Sequence, residues 1–585
     1  MSVVTQQAEG REASRWHAIL IILLTTAAVS LPLLWGRVLS GHDIVTYLIN
    51  AQQTAANLRE GAIFPTWGGG FNAGFGAPGL LFYPPLTSYV HAVPVLATVP
   101  VIVGVSGMTV LALFLSGFAA WWWLESVGCR RAALPAACVY LFAPYRFIDI
   151  YARSALSEHW AFVWPPLILL IASLRNVRAT VRVPFLALAV AGLLLTNLPL
   201  AALFGIGLAG WFVVSGRVVG HRSSIIAGAA LGFALAAFQL VPQALSHGLL
   251  DVDRFYGPNA GKFSASANTL FASGFDSWRG NVEYSTCVVV SFLLVVVAYL
   301  LLSKEERRQP SNRWILAAAL ACCVVATPPF GPVWDAVPVF SQMQFPWRLA
   351  AIMTLLVSAA VARLSLRRAL VFLPLAIVAA VPFNNWHRLA AIEQFMPDEK
   401  PRVLTDNPVF PDPVTAWEAG SSGWYWRHHT LAEIWLIPID TGDALFAELA
   451  GRFPPEYDHI RNRPAVLLED PDASFHVTSW GQTKREIEVD TRRGGTVVWR
   501  ALYFPRMRVL IDGSPTKTEI EPVTGLISHR VPEGTHVLTW LWLPLQSFKA
   551  ARLVTVASSL AAVALLSFAL VSRSRQKLAT SHESN

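Results

Sequence analysis

Apolar runs of about 17 to 22 residues, each long enough to cross the hydrocarbon layer of a bilayer, recur along most of the chain. Short polar connections divide them. They predict spanning helices near 17–35, 104–125, 132–148, 159–175, 183–198, 200–216, 224–243, 286–302, 314–330, 348–364, 369–385 and 551–571. Every second connection is basic: Arg11 with Arg15, Arg130 with Arg131, and clusters at 175–182, 217–222, 304–313, 363–368 and 573–577. Reading the basic side as cytoplasmic orients about twelve spans with both termini inside. The apolar stretch 86–101 contains Pro94 and Pro100 and, counted as a span, would invert every later loop. It is therefore predicted as a juxtamembrane or re-entrant helix. The first span has a basic flank and no small-residue cleavage site, which predicts a retained signal anchor.

This pattern divides the chain into a membrane domain (1–385), a soluble extracytoplasmic domain (386–549), and a final span with a cytoplasmic tail (550–585). The membrane domain is predicted to carry outer loops at 36–103, 144–158, 244–285 and 331–347. Within 386–549 charged residues, Pro and Gly rise and apolar runs shorten to strand length. The first half reads as mixed helix and loop. In the second half, runs at 497–503, 507–511 and 536–543, with turn signals at Asp512-Gly513 and Pro532-Glu533-Gly534, predict an antiparallel β-sandwich.

Composition agrees with a polytopic α-helical membrane protein, since 54% of the 585 residues are hydrophobic and only 14% charged. The net charge of +8 sits in the connections, so topology explains it better than nucleic acid does. The five cysteines fall in or beside the spans with no CxxC spacing, which suggests neither a disulfide framework nor a zinc site. No GxxxxGK[ST] or dinucleotide fingerprint is present. Any substrate energy must come from an activated donor or a gradient.

The polar, Gly-rich and Pro-rich loop 36–85 interrupts this apolar chain, and such a loop persists near lipid only where it lines protein or water. It holds Asp43 beside His42, directly before a helix with apolar Ile44, Leu48, Ala51, Ala55 and Leu58 at alternating spacings of four and three. That helix is predicted to lie flat with one face in lipid, and Asp43 is either its N-cap or an acid presented at the membrane surface. A second segment, 143–159, gathers Arg146, Asp149, Arg153, Glu158 and His159 at a span end. An i,i+4 salt bridge accounts for Asp149 and Arg153 but leaves Glu158 unexplained. In Gln344-Phe345-Pro346-Trp347-Arg348, Trp347 is an interfacial anchor and Arg348 a snorkelling cation, or Arg348 binds phosphate. Gly68, Gly69 and Gly70 have the composition of a phosphate cradle without its strand and helix context. His428 and His429 lack a third metal ligand at sensible spacing.

Taken together, Gly41-His42-Asp43, Phe82-Tyr83-Pro84-Pro85-Leu86, Arg153 to Glu158 and Gln344 to Arg348 resemble the GT-C class of membrane glycosyltransferases. More closely, they resemble the bacterial membrane proteins labelled 6-pyruvoyl-tetrahydropterin synthase-related, neighbours of the YfhO-like family. The segment from Tyr503 to Gly513, with Gly525-Leu526 and Val531 to His536, is similar to the outer β-domain of YfhO-like proteins. The resemblance covers nearly the whole chain. It implies a bacterial cytoplasmic-membrane enzyme that transfers a sugar from a polyprenyl-phosphate-linked donor to an envelope glycan, lipid or protein acceptor on the periplasmic side. Asp43 would be the general base and Glu158 an acidic catalytic partner, while His42, Tyr83, Arg153, Gln344 and Arg348 would bind substrate or lipid phosphate. One acid in Gly41-His42-Asp43, where an Asp-x-Asp pair would suit a divalent cation, favours a metal-independent reaction; no other cofactor is implied. Two rivals use the same residues: a transporter or flippase for a lipid-linked sugar, and a non-catalytic scaffold of envelope polysaccharide assembly.

Overall fold

The computed structural model describes residues 2–71, 76–174, 177–215, 221–247, 264–272, 278–341, 343–391, 466–468, 472–504, 507–520, 526–543 and 546–582. Most of the predicted loop 244–285, residues 392–465 of the soluble domain, Gly74, Gly525, and His428 with His429 lie outside them.

The first helix, α1, runs Ser2–Val29; then come α2 Ile44–Arg59, α3 Pro85–Leu96, α4 Val101–Ser126 and α5 Ala133–Leu141. A short helical turn, Pro144–Phe147, and a π-helical turn, Ile148–Arg153, lead into α6, Leu156–Ala161. Further on lie α7 Ala179–Thr196, α8 Leu198–Ser215, α9 Trp278–Leu300, α10 Pro310–Val325, α11 Leu349–Val361, α12 Leu366–Ala380 and α13 Gln546–His582. Among the described residues six helical stretches are long and apolar enough to cross a membrane, and two bent helix pairs raise that to eight. One large apolar core unites α1 to α12.

Two segments differ from their sequence-based expectation. α2 does not lay its apolar stripe in lipid: Ile44, Ala51 and Ala55 are fully buried, because α3 and α4 pack along it. Covering an Ile side chain in this way contributes about 1.5–3 kcal/mol. Residues 144–158, expected as a loop, are helical and buried almost throughout; Arg153 pairs with Asp149 and Glu158, while Arg146 donates to Ser116 Oγ and lies over the Phe162 ring. The stretch from 86 is the twelve-residue α3, about 18 Å long and so too short to cross a bilayer.

After residue 465 the periodicity changes from helical to two-residue alternation. The strands are β1 Val466–Leu468, β2 Ser474–Trp480, β3 Lys484–Thr491, β4 Gly495–Leu502, β5 Met507–Ile511, β6 Ser514–Thr516, β7 Glu519–Ile520, β8 Leu526–Val531 and β9 Gly534–Trp542. They form a four-stranded sheet, β1-β4-β8-β7, and a five-stranded sheet, β2-β3-β9-β5-β6, with antiparallel pairing throughout. Along β3, Arg485, Ile487, Val489 and Thr491 face inward while Lys484, Glu488 and Asp490 face water. Asp512 and Gly513 join β5 to β6 with φ of +49° and +78°, as a two-residue type I′ hairpin turn requires. Inward residues of both sheets, including Val497, Trp499, Leu538 and Trp540, share one apolar core with Trp67 of the first loop.

Candidate functional site

Three chain segments converge where the first loop meets the turn between the π-helix and α6. Gly41 lies so close to that turn that a Cβ would stand 2.6 Å from the Arg153 carbonyl carbon, the Ser154 nitrogen and Ser154 Oγ. Only glycine fits there. Ser154 closes the π-turn at φ +52°, and its Oγ accepts the Gly41 N–H at 3.0 Å. The Asp43 N–H donates to the Arg153 carbonyl at 2.8 Å. Asp43 thus occupies the N-cap position of α2, but its carboxylate makes no capping bond to the helix. The structural role that the sequence offered for this side chain goes unused, and the half-buried carboxylate is left at the loop surface. Half-buried His42 sits between Gly41 and Asp43.

One turn along α2, Tyr47 reaches Ser157: its hydroxyl lies 2.8 Å from Ser157 Oγ and accepts the Ser157 N–H at 3.1 Å. Asn197 Nδ2 donates to the same Ser157 Oγ at 3.1 Å, tying the start of α8 to the cluster. Burial first, and the Asp43 charge next, push the Tyr47 phenol up, so this side chain is a neutral hydrogen-bonding post beside Asp43.

Glu158 is the hub of the second segment. Its Oε2 accepts from Tyr145 Oη at 2.9 Å and from Arg153 Nη1 at 2.8 Å. Its Oε1 accepts from Arg153 Nη2 at 3.1 Å and from Arg348 Nε at 2.6 Å. Arg153 Nη1 also meets Asp149 Oδ1 at 3.2 Å, the i,i+4 pair foreseen from spacing. All four ionic residues are buried. A carboxylate with four donors has no lone-pair direction left to take a proton from substrate, so its chemistry is to hold two guanidinium groups in place.

The third segment is the left-handed Gln344, at φ +60°, followed by the 3₁₀ turn Pro346–Arg348 that opens α11. Trp347 is buried, stacked on Phe345 at 4.8 Å and under the Arg153 guanidinium at 4.7 Å, and so is not an interfacial anchor. Arg348 does not snorkel: its Nη1 donates to the Met343 carbonyl at 2.5 Å while Nε holds Glu158. Tyr83 is held elsewhere, its carbonyl accepting Gln239 Nε2 at 3.2 Å. The structure therefore brings together Asp43, Arg153, Glu158 and Arg348, with Gln344 at the edge, and anchors Tyr83 on another helix.

The glycine run serves as a docking seam. Gly69 N–H donates to Gln482 Oε1 at 2.6 Å, Gly70 N–H donates to Gln53 Oε1 at 2.9 Å, and Arg485 Nη2 donates to the Gly69 carbonyl at 3.1 Å. Trp67 stacks on Trp542 at 4.8 Å, and Trp542 Nε1 donates to Thr66 Oγ1 at 3.1 Å. Amides already committed to side chains of this protein do not cradle a phosphate. Sequence reading missed Tyr47, Tyr145 and this seam; Tyr47 alone left a signal, lying four residues after Asp43 on the same helix face. Among the described residues no three His, Cys, Asp or Glu side chains converge as metal ligands.

Comparison with known proteins places this geometry in context. No curated protein matches the chain. The arabinofuranosyltransferase AftD from Mycobacteria is similar at TM-score 0.43 and 16% identity, over 64% of this chain and 27% of that one. The oligosaccharyltransferase AglB from Archaeoglobus fulgidus, solved with an inhibitory peptide and a dolichol-phosphate, is similar at TM-score 0.36 and 14% identity. That likeness covers 72% of this chain and 60% of AglB. The chain thus spans about a quarter of AftD, 27% of its length. Residues 80–392, more than half of the chain, match the membrane-protein family described as the 6-pyruvoyl-tetrahydropterin synthase related domain. The chain belongs to that family.

Proposed function

We propose that this protein is a membrane glycosyltransferase of GT-C architecture that moves a sugar from a polyprenyl-phosphate-linked donor to an envelope glycan, lipid or protein acceptor. The observation that carries this reading is the bond from the Asp43 N–H to the carbonyl of Arg153, which fixes an uncapped carboxylate beside an arginine that shares Glu158 with Arg348. In the reaction, Asp43 accepts the proton of the acceptor hydroxyl as its oxygen bonds to the anomeric carbon. The bond from that carbon to the phosphate oxygen breaks, and Arg348 and Arg153 stabilise the charge gathering on the leaving lipid phosphate. Glu158, first expected as a catalytic acid, is a positioning residue in this scheme. His42 and Gln344 flank the substrate, and Tyr83 contacts the donor farther from the reacting bond.

The same reading places the enzyme in the bacterial cytoplasmic membrane with its strand-rich domain on the periplasmic side. A twelve-span topology is supported by the shorter apolar helices Arg15–Val29, Leu198–Gly210 and Pro346–Val361, and by Trp164–Ser173. A β-sandwich is supported by the apolar core common to the two sheets.

The test is transfer to the native acceptor by Asp43→Asn protein in membranes, at wild-type abundance. Loss of a positioned base lowers the rate by about 10²- to 10⁴-fold. Unchanged transfer would falsify the assignment of Asp43 and leave the scaffold reading in its place.

A further inference from the structure

A groove with a cavity volume of about 50 Å³ runs along α11 from Ile352, one turn past Arg348, to Arg363 just beyond the helix's far end. Its walls are Ile352, Leu355, Leu356 and Ala359 of α11, Gly207 of α8 and Trp314 of α10, and its mouth is Arg363. The α11 residues stand at helical spacings of three and four, so they form one continuous apolar stripe that ends in a single cation. From Ile352 to the end of α11 at Val361 the stripe is about 14 Å long at the rise of an α-helix, and Arg363 lies in the turn just beyond. That is about half of a 30 Å hydrocarbon core, the depth of one leaflet.

Charge at the mouth is lopsided. Arg313 precedes Trp314 in the chain, Arg367 and Arg368 follow one turn after Arg363, and Arg307 and Arg308 close the neighbouring helix. Glu305 and Glu306 are the acids on that helix, and Glu306 is engaged in capping Ser303. Arg363 itself donates to the Ala359 carbonyl at 2.6 Å, which folds its guanidinium back along the groove wall.

We propose that this groove binds one anionic glycerophospholipid of the leaflet on the basic side, with an acyl chain along α11 and its phosphate at Arg363. The site is distinct from that of the donor lipid, whose phosphate is assigned to Arg348, about 22 Å away along the helix. It does not depend on glycosyl transfer being the activity.

Native mass spectrometry of the purified full-length protein, with phosphatidylglycerol and phosphatidylethanolamine as probes, tests it. Wild type is expected to retain one phosphatidylglycerol about five-fold better than phosphatidylethanolamine, the preference that one basic residue gives at an anionic surface. Gly207→Leu should abolish retention by filling the groove, since a Cβ at Gly207 meets nothing nearer than Ile352 Cδ1 at 4.0 Å. Arg363→Gln should remove the preference for the anionic lipid, and Arg363→Lys should keep it. Equal retention of the two lipids by wild type overturns the proposal without recourse to any variant. So does retention of a polyprenyl phosphate in place of phospholipid, or retention unaffected by both Gly207→Leu and Arg363→Gln.

Discussion

Replacing Glu158 by Gln changes few atoms and should cost about as much stability as truncating a large core side chain. The carboxylate accepts four hydrogen bonds, two from Arg153 and one each from Arg348 and Tyr145, at 2.6–3.1 Å in a buried setting. An amide keeps one acceptor oxygen and turns an NH₂ donor toward guanidinium donors. It also leaves Arg153 and Arg348 with Asp149 as the one carboxylate of the cluster. Removing one partner of a buried ion pair destabilises by about 3–5 kcal/mol, because the surviving charge remains buried without its counter-charge. The assay is denaturant titration in mixed micelles followed by tryptophan fluorescence, for Glu158→Gln, Arg348→Gln and the double variant. Because the surplus cation leaves with Arg348, the double variant should be more stable than the sum of the single losses predicts, by about 0.5–3 kcal/mol. A Glu158→Gln protein within about 0.5 kcal/mol of wild type, or strict additivity in the cycle, refutes the hub role.

Gly41→Ala keeps every ionisable group yet forces a Cβ to 2.6 Å from the Arg153–Ser154 peptide; the resulting shift of the Asp43 loop should lower transfer by about 10²-fold at normal protein abundance. Trp67→Ala removes a fully buried ring from the shared core, which should cost about 3–5 kcal/mol and make the 466–543 domain a preferred site of limited proteolysis. His536 Nδ1 lies 2.7 Å from Asp512 Oδ2, a bond that raises the imidazole above its ordinary value and lowers the carboxyl below its own. The imidazolium form is the one favoured by folding, so this contribution is complete below about pH 6.5 and disappears as pH rises through the folded value. The Asp512 side of the pair is present above about pH 3.9 and is lost as pH falls further. Thermal melts of wild type and His536→Gln should therefore differ near pH 5.5 and coincide near pH 9; a constant gap across that range contradicts the assignment.

The apolar helical character of the chain and three strand runs, on β4, β5 and β9, were legible because each announces itself through a local pattern. Asp512-Gly513 demands positive φ at both positions, so the end of β5 and its turn follow from local chemistry, whereas the alternation of Arg485, Ile487 and Val489 in β3 went unread. The Asp149 and Arg153 pair was legible for the same reason, at i,i+4. Residues 144–158 were not, since their charge density reads as exposed loop unless their partners are known, and Arg348 lies 190 residues from Glu158. The flat-helix expectation for α2 failed on similar grounds: the stripe was correct, but a stripe does not say whether lipid or α3 covers it. Trp67 and its glycines gave no periodic signal, because their role is defined only by Trp542 and Gln482, more than 400 residues later in the chain.

That last pairing bears on how the site is held. α2 is a rod of 16 residues, about 24 Å long, with Asp43 at its first end. Its first end is fastened by two hydrogen bonds, from the Asp43 N–H to the Arg153 carbonyl and from the Gly41 N–H to Ser154 Oγ, and its far end is fastened to the strand domain. At the far end Glu60 accepts the Gln482 N–H at 2.8 and 3.0 Å, and the loop that follows inserts Trp67 into the core of the two sheets. Burial raises the Glu60 carboxyl, while the Gln482 amide, Arg485 and the Thr483 amide oppose that shift. A rod fixed at both ends transmits displacement along its axis. Movement of the strand domain therefore has a direct route to Asp43, and the domain after residue 465 belongs to the support of the site as much as the helices do.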